Sequence, residues 1–405
     1  MICPRCRGRR KFVAYRRKTV VTLLGPVTYE RAYYHGCACG GEAPADHELR
    51  LEDEFTPAAQ EVITLHGALE AFDEAATKTL PKSAGLSVSA STVRRVTEGV
   101  GADLSRRRAA GETFGDSAEW DWQQDAAGAR CAYVSLDATG VRQQAADHAA
   151  AEGRMAWVGE VFNPHPTHER KRGRVWDARY LAGLIPLREL GRQLRREALA
   201  VGIERADVLI GLTDGGNGLE NCLLDEVFRG LGKPVELILD FYHAAEHVHE
   251  FARAVHADPE QAETQADTWC HTLKHQGGAA LLQQLEQWEL PSPSPTLEAS
   301  RKSLCQYLRN NLHRTDYPRY LRRGWHIGSG TIESACKNVI NQRLNGCGMR
   351  WSEPGTDELA HVRALHKSEP PVWKDYWSRP PPPMPPKSTY NQDARPTSTD
   401  SGGLV

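Results

Sequence analysis

Three short apolar runs that each end in an aspartate place the strongest constraint on how this chain folds. The runs cover residues 132–137, 208–214 and 235–240. Short apolar runs bounded by polar residues are typical of buried strands, and the carboxyl ends of parallel strands meet at one edge of a sheet, where ligands bind. We therefore expect three carboxylates to lie close together. They belong to Asp137, Asp214 and Asp240.

The pattern around these runs predicts an α/β core whose first part spans residues 113–244. Two more strands are indicated at 155–162 and 178–183, and helices are indicated at 186–201 and 219–228. The order strand, strand, strand, helix, strand, helix, strand is typical of a sheet with antiparallel and parallel parts.

Carboxylates that converge at one sheet edge repel one another, and a bound divalent cation usually offsets this repulsion. Mg²⁺ or Mn²⁺ prefers oxygen ligands and leaves room for substrate phosphates. A pair of such ions can hold both oxygens of a phosphodiester displacement. Each aspartate taken alone could instead be a strand-end cap or a turn residue, and the sequence Asp214-Gly-Gly-Asn-Gly also fits a turn.

A fourth acid, Glu333, lies at the start of a predicted helix. A glycine-containing turn at 326–330 precedes it, and Lys337 and Asn341 follow at helical spacing on the same side. Beside this line, apolar residues repeat at helical spacing and predict a buried stripe. The stripe comprises Ile332, Ala335, Cys336, Val339 and Ile340. The alternative is that Glu333 offsets the helix dipole and pairs with Lys337.

Basic residues concentrate in two segments of a chain whose net charge is only −2. Residues 1–20 hold eight basic and no acidic residues, and residues 301–350 hold ten basic and two acidic ones. Two such blocks favour a polyanion bound at two places, with solvated surface as the alternative. The second block contains Arg343, Arg350 and Trp351. Arginines of this kind can contact phosphates, and a tryptophan ring can stack on a base. An ordinary loop with a core tryptophan is the alternative there.

Residues 1–50 predict a small zinc-ribbon-like module. Two pairs of cysteines flank a predicted hairpin over 20–34 that is broken at Gly25. A segment this small has too little core to fold alone, and a tetrahedral zinc would supply the missing stabilisation. The second pair is spaced Cys-x-Cys, so His35 is a substitute ligand, and buried cysteines without metal are the alternative. The cysteines are Cys3, Cys6, Cys37 and Cys39.

Residues 51–112 predict helices, among them a helix-turn-helix. A turn at 85–89 separates a helix at 72–82 from one that carries Arg94 and Arg95 in its first turns. Two helices joined by a glycine-containing turn, with arginines near the start of the second, are the arrangement in which such motifs contact DNA. A plain helical bundle fits the same pattern.

The remaining segments are a helical insertion, a return to the core and a tail. Residues 245–320 are predicted to be helical, and residues 321–367 again show the regular apolar spacing of the core. Residues 368–405 are rich in proline and are expected to be disordered or polyproline. No apolar run approaches the ~18 residues of a membrane span, and the first residues do not match a secretory signal. Ten cysteines without such a signal indicate a reducing, cytoplasmic location.

Several motifs together resemble one protein family, and the resemblance covers residues 1 to about 377. The most specific are Gly328-Ser-Gly-Thr-Ile-Glu-Ser334 and Gly348-Met-Arg-Trp-Ser352, and others are Thr28-Tyr-Glu-Arg-Ala-Tyr-Tyr-His35, Leu136-Asp-Ala-Thr-Gly140 and Leu239-Asp-Phe-Tyr-His243. They resemble the DDE transposases of bacterial insertion sequences, in the ISKra group, which is related to Mutator-like and ISL-type enzymes.

The resemblance implies an RNase H-like catalytic core and a Mg²⁺-dependent triad of Asp137, Asp214 and Glu333. Asp240 and His243 would support that site, with Asp240 as the competing candidate for the second metal ligand. Double-stranded DNA at the element ends and the target would be the partner of a homo-oligomer, and one structural zinc is implied. The DNA-binding residues would be Arg94, Arg95, Lys337, Arg343, Arg350 and Trp351.

Two other classes of function fit the same residues. One is a zinc-ribbon and helix-turn-helix protein that binds DNA without catalysis, such as a degenerate transposase acting as a repressor. The other is an RNase H-like nuclease that does not join strands. Binding without metal-dependent cleavage would identify the first, and cleavage without joining of a pre-cut 3′ end would identify the second. A nucleotide-binding metabolic enzyme is disfavoured, because no glycine-rich loop follows a first strand.

Overall fold

The computed structural model describes ten segments of the chain, which form two compact units, Met1–Glu61 and Val62–Ser378. The described segments are residues 1–3, 6–51, 54–115, 119–145, 149–164, 176–216, 218–290, 294–328, 330–368 and 372–379.

A two-stranded antiparallel ribbon forms most of the first unit. Strand β1, Lys11–Thr22, pairs with β2, Gly25–His35, across a two-residue turn. The hairpin predicted over 20–34 is therefore present, but it is longer than predicted and turns before Gly25. The first part of β1 was missed because residues 11–18 are mostly basic and lack the apolar alternation of a half-buried strand. This part of the strand is largely exposed, so it does not need that alternation.

Helix α1, Pro44–Glu48, lies against one face of the ribbon. The Asp46 carboxylate accepts hydrogen bonds from Tyr29 Oη at 2.7 Å and Arg31 Nε at 3.0 Å, and Lys18 Nζ lies 3.6 Å from it. One acid on the helix thus balances two cations of the ribbon. These contacts fix α1 to that face.

Four helical segments precede the central sheet, and a π-helical turn joins the second to the third. They are α2 (Pro57–Leu69), α3 (Phe72–Glu74), α4 (Leu80–Ser83) and α5 (Ala90–Ala109), with the π-helical turn at Ala75–Thr79. Helix α5 begins after Ser89, whose Oγ accepts a hydrogen bond from the Thr92 amide at 3.1 Å. Serine is a favoured N-cap residue. The predicted sequence of helix, turn and helix is therefore present as local structure.

A mixed five-stranded sheet forms the centre of the second unit. Its strands are β3 (Cys131–Gln144), β4 (Ala150–Pro164), β5 (Trp176–Gly183), β6 (Val208–Thr213) and β7 (Val235–Leu239). Their spatial order is β5-β4-β3-β6-β7. Strand β4 runs antiparallel to β3 and β5, whereas β6 is parallel to β3 and β7. The predicted α/β fold with antiparallel and parallel parts is confirmed.

Helices cover both faces of this sheet. On one face lie α6, Leu187–Ala200, and α7, Leu219–Cys222, which continues as a π-helical turn over Leu223–Val227. These helices connect β5 to β6 and β6 to β7, and Leu190 of α6 packs in one cluster with Leu136 of β3. Strands buried on both faces are apolar throughout, which is why the sequence showed them as continuous runs.

The helices between residues 241 and 367 cover the other face in two groups. The first group is α8 (Phe241–Val255), α9 (Pro259–Gln276), α10 (Gly278–Gln287), α11 (Pro295–Asn311) and α12 (Tyr317–Arg323), and the second is α13 (Gly330–Ala335), a π-helical turn (Cys336–Asn341), α14 (Gln342–Leu344) and α15 (Glu353–Lys367). Residues 245–320 were predicted to be helical; helices do occupy most of the described part of this range, and the first of them begins at Phe241. None of the helices in the described segments has the length and apolar character that crossing a membrane requires.

A short helix, α16 (Val372–Ser378), lies in the segment that was predicted to be disordered from residue 368. Its Tyr376 Oη donates a hydrogen bond to Asp103 Oδ2 at 3.0 Å. Tyr376 and Trp377 are buried, so apolar packing outweighs the proline-rich surroundings that suggested disorder. The proline run itself lies outside the described residues.

Glu160 makes the stability of the fold depend on pH. It is fully buried on β4, and burial raises the pKa of its carboxyl from the usual 4.5 to about 8. The native state then keeps a proton that the unfolded chain releases, so stability falls as the pH rises from about 4.5 towards 8. Glu160→Gln replaces the carboxyl by a neutral isostere. We expect its free energy of unfolding, measured by urea denaturation, to be higher than that of the wild type by about 2–5 kcal/mol at pH 8 and by little at pH 5. The same pH dependence in both proteins would contradict this expectation.

Candidate functional site

The parallel strands bring two predicted aspartates to one edge of the sheet. Asp214 directly follows the last residue of β6, and Asp240 directly follows the last residue of β7. Asp240 also caps α8, because its carboxylate accepts a hydrogen bond from the Tyr242 amide at 2.8 Å. Asp214 Oδ1 accepts one from the Gly216 amide at 2.7 Å, so the turn that we considered as an alternative forms there as well.

Asp137 differs from the prediction, because it does not end its strand. Strand β3 continues to Gln144, since β4 pairs with it along this whole extension. Its parallel pairing with β6, however, stops at Ser135. Asp137 therefore lies just past the parallel part of the sheet, at the same edge as Asp214 and Asp240.

A pocket of about 210 Å³ lies at this edge. It is lined by residues from β3, α8 and α13 and from the chain that directly follows β6 and β7, and five of the eight are carboxylic acids. They are Leu136, Asp137, Asp214, Asp240, His243, Glu246, Ile332 and Glu333. The structure thus brings together all four acids that the sequence analysis selected, and His243 with them.

Burial and negative charge both act on Asp137. Burial raises the pKa of its carboxyl, and the charges of Asp214 and Glu333 raise it further. Two hydrogen bonds oppose these effects, one from the Ala138 amide at 2.6 Å and one from Cys336 Sγ at 3.4 Å. Burial and the charges of Asp214 and Glu333 therefore disfavour the ionised form of Asp137.

The donor set of the pocket fits a hard divalent cation. Carboxylate oxygens are the protein ligands that Mg²⁺ and Mn²⁺ prefer. Asp137, Asp214 and Glu333 come from three different parts of the fold, and the charges of the last two raise the pKa of the Asp137 carboxyl. A cation bound among them would offset that repulsion.

The helix that carries Glu333 packs as predicted. All five residues of the predicted apolar stripe are buried, and Glu333 and Lys337 beside it are exposed. Asn341 Oδ1 accepts a hydrogen bond from Thr139 Oγ1 of β3 at 3.0 Å. The buried stripe and this bond hold the helix on β3, and Glu333 is thereby placed at the pocket.

Two residues at the site were missed by sequence reasoning. Glu246 lines the pocket, and its Oε2 lies 3.6 Å from His243 Nδ1. Its position on a helix three residues after His243 would have indicated it. Cys336 was expected only to be buried, yet it donates its hydrogen bond to Asp137. No sequence pattern indicated that contact, because it joins residues far apart in the chain.

Arg343 and Trp351 do not form the expected DNA-binding surface. Arg343 is 2% exposed, its Nε donates to the Gly67 carbonyl at 3.2 Å, and its guanidinium lies 4.9 Å from the centre of the Trp351 ring. Trp351 is buried and its Nε1 donates to the Leu344 carbonyl at 2.9 Å. The alternative of a core tryptophan is correct, and the arginine belongs to the same core.

The other predicted DNA contacts lie at the surface. Arg94, Arg95, Lys337 and Arg350 are exposed. Arg94 Nε donates to Glu98 Oε1 at 2.8 Å, one helical turn away. An exposed pair of this kind contributes little stability, so a phosphate could replace Glu98 at small cost.

The four predicted cysteines come together in the first unit. They are Cys3, Cys6, Cys37 and Cys39. Each sulfur lies within 4.8 Å of the others, and His35 is not a member of this cluster. Ligand sulfurs around tetrahedral zinc are about 3.8 Å apart, so the cluster could bind zinc. Buried Arg10 donates from Nε to Cys37 Sγ at 3.1 Å and holds the pKa of that thiol below its usual value, which favours the thiolate that a metal requires.

No protein-family model matches this chain, and a comparison with curated proteins also gives no match. The function of the site is therefore inferred from its own residues and geometry.

Alanine substitutions of Arg343 and Arg350 distinguish a core arginine from a surface arginine by their effect on the free energy of unfolding. We expect Arg343→Ala to lower the free energy of unfolding by about 2 kcal/mol or more, because it leaves a cavity and a buried carbonyl without its donor. Arg350→Ala should change stability by less than about 0.5 kcal/mol. Urea denaturation measures both values. Weaker DNA binding by a fully stable Arg343→Ala protein would contradict the assignment of Arg343 to the core.

Proposed function

We propose that this chain is a DDE transposase that cleaves DNA at the ends of an insertion sequence and joins those ends to a target. The observation that carries the proposal is that Asp137, Asp214 and Glu333 line one pocket. The strand order β5-β4-β3-β6-β7, with helices on both faces of the sheet, supports an RNase H-like core, as the resemblance implies.

In this proposal Asp137, Asp214 and Glu333 hold Mg²⁺ or Mn²⁺. When bound, the cation would lower the pKa of the attacking water and stabilise the leaving 3′ oxygen. The chain contributes by fixing its acids in place before the substrate arrives. The Ala138 amide and the Cys336 thiol both bond to Asp137, and the rigid strand on which it lies limits its movement.

Asp240 and His243 would be supporting residues. Each of Asp214 and Asp240 accepts one backbone amide hydrogen bond, but Asp240 is 1% exposed whereas Asp214 is only partly buried, which favours Asp214 as the second ligand. His243 and Glu246 occupy the first turns of α8 at the wall of the pocket. From there they could orient water or the cleaved strand by hydrogen bonds.

The proposed partner is double-stranded DNA, bound at the element ends and at the target by a homo-oligomer. Arg94, Arg95, Lys337 and Arg350 would contact phosphates from the surface, the first two from the second helix of a helix-turn-helix. The cysteine cluster would hold one structural zinc. A reducing cytoplasm fits the ten cysteines, none of which forms a disulfide in the described part of the chain.

The proposal is tested by substituting each acid with its amide. DNA that carries the sequences flanking this gene is incubated with Mg²⁺ and the wild type, Asp137→Asn, Asp214→Asn, Asp240→Asn or Glu333→Gln. Cleavage and joining should fall by about 10²-fold or more in the variants that lose a ligand. Asp240→Asn should retain more activity than Asp214→Asn, and binding to the DNA ends should remain nearly unchanged in all four.

The matched control is Glu260→Gln, which changes an exposed acid at the start of α9 and should keep full activity. Full activity in the Asp137, Asp214 or Glu333 variant would contradict its assignment. DNA binding without any cleavage by the wild type would favour the non-catalytic DNA-binding protein. Cleavage without joining of a pre-cut 3′ end would favour the nuclease.

A further inference from the structure

One face of the β1–β2 ribbon carries a cluster of exposed aromatic rings. The ring centroid of Phe12 lies 5.4 Å from that of Tyr15 and 5.9 Å from that of Tyr34. Phe12 is 52% exposed and Tyr15 is 71% exposed. Phe12 and Tyr15 remain largely open to solvent and Tyr34 is partly exposed. Exposed apolar groups that are adjacent in this way are typical of a binding surface.

A β-bulge places these rings on one face. Side chains alternate along a regular strand, so Phe12 would share a face with Ala14 and Arg16. The register shifts between Phe12 and Ala14, with the result that Phe12 lies opposite Tyr34 while Ala14 lies opposite Tyr33. Bulges re-aim side chains in this manner. The shift moves Phe12 away from the face that carries α1 and brings it to Tyr34 on the opposite one.

The charge of this segment suits a nucleic-acid strand. The first 35 residues contain nine basic residues and one acid, Glu30. Arg17 lies two residues after Tyr15 on the same face, with a side chain that is 79% exposed and donates to Glu30 at 3.0 Å. Arg9 and Lys11, which precede Phe12 by three residues and by one, are also exposed. Cations that follow a backbone, together with rings on which bases stack, are the combination with which proteins bind single strands.

We propose that the face formed by Phe12, Tyr15 and Tyr34 stacks against unpaired bases of a DNA strand, with Arg17 on an adjacent phosphate. Bases of an intact duplex are stacked inside the helix and cannot use these rings, so the face prefers single-stranded or locally opened DNA. The proposal rests on the proposed function for its ligand, because it takes DNA as the partner of this chain. It does not require the acidic pocket to be catalytic.

The test compares two substitutions of Tyr15 that differ in whether they keep a ring. The full chain, loaded with zinc and without Mg²⁺, is titrated into a fluorescent single strand of about 20 nucleotides, which exceeds a typical binding site. Tyr15→Trp should bind this strand at least as tightly as the wild type. Tyr15→Leu keeps apolar bulk without a ring and should bind it about tenfold more weakly. The affinity for the same sequence as a duplex should be nearly equal in both variants.

Leu24→Ala is the matched control, because Leu24 is fully exposed at the turn of the same ribbon. It should leave single-strand affinity unchanged, and circular dichroism with zinc content verifies that each variant is folded. Full affinity of Tyr15→Leu would show that the ring does not stack on bases and would overturn the proposal. Equal losses on single strand and duplex, or no single-strand binding by the wild type, would also overturn it. Cleavage does not occur without Mg²⁺, so a failure here is distinct from a failure of the proposed reaction.

Discussion

Parallel pairing of β3 with β6, and of β6 with β7, determines where the acidic side chains lie. The three strands point in one direction and are buried on both faces, so the first polar residues past their paired region share one edge. Asp214 and Asp240 reach that edge because their strands end there. Asp137 reaches it because the parallel partner of its strand ends there, although antiparallel pairing to β4 continues. Glu333 joins them because the buried stripe of its helix packs on the same sheet.

The resulting pocket concentrates negative charge on a rigid framework. Five carboxylic acids line it, and burial and two of its neighbours raise the pKa of Asp137. Folding therefore disfavours the ionised form of Asp137, and the buried helices and strands around the pocket supply the stability that holds the acids together. Such an arrangement is typical of sites that act on a charged substrate or bind a cation.

The succession of strands and helices along the chain and the strand-end positions of Asp214 and Asp240 could be predicted from the sequence, because buried strands appear as apolar runs. Contacts between distant residues could not. Arg343 and Trp351 look like a nucleic-acid loop in sequence, yet the first donates to the Gly67 carbonyl and both lie in the core. Likewise, nothing near Tyr376 in sequence indicates Asp103, its hydrogen-bond partner, so α16 was missed. The mid-strand position of Asp137 was missed for a related reason, because pairing to β4 extends a strand past its apolar residues.

The central claim is that the acidic pocket is a divalent-cation site, and anomalous diffraction from crystals grown with Mn²⁺ tests it most directly. The account predicts an anomalous peak in the pocket, about 2.2 Å from carboxylate oxygens of Asp137, Asp214 and Glu333. Asp240 should keep its bond to the Tyr242 amide in those crystals. A pocket without a peak at a Mn²⁺ concentration that supports DNA cleavage would contradict the claim. A peak held by Asp240 and not by Asp214 would contradict the choice of ligand.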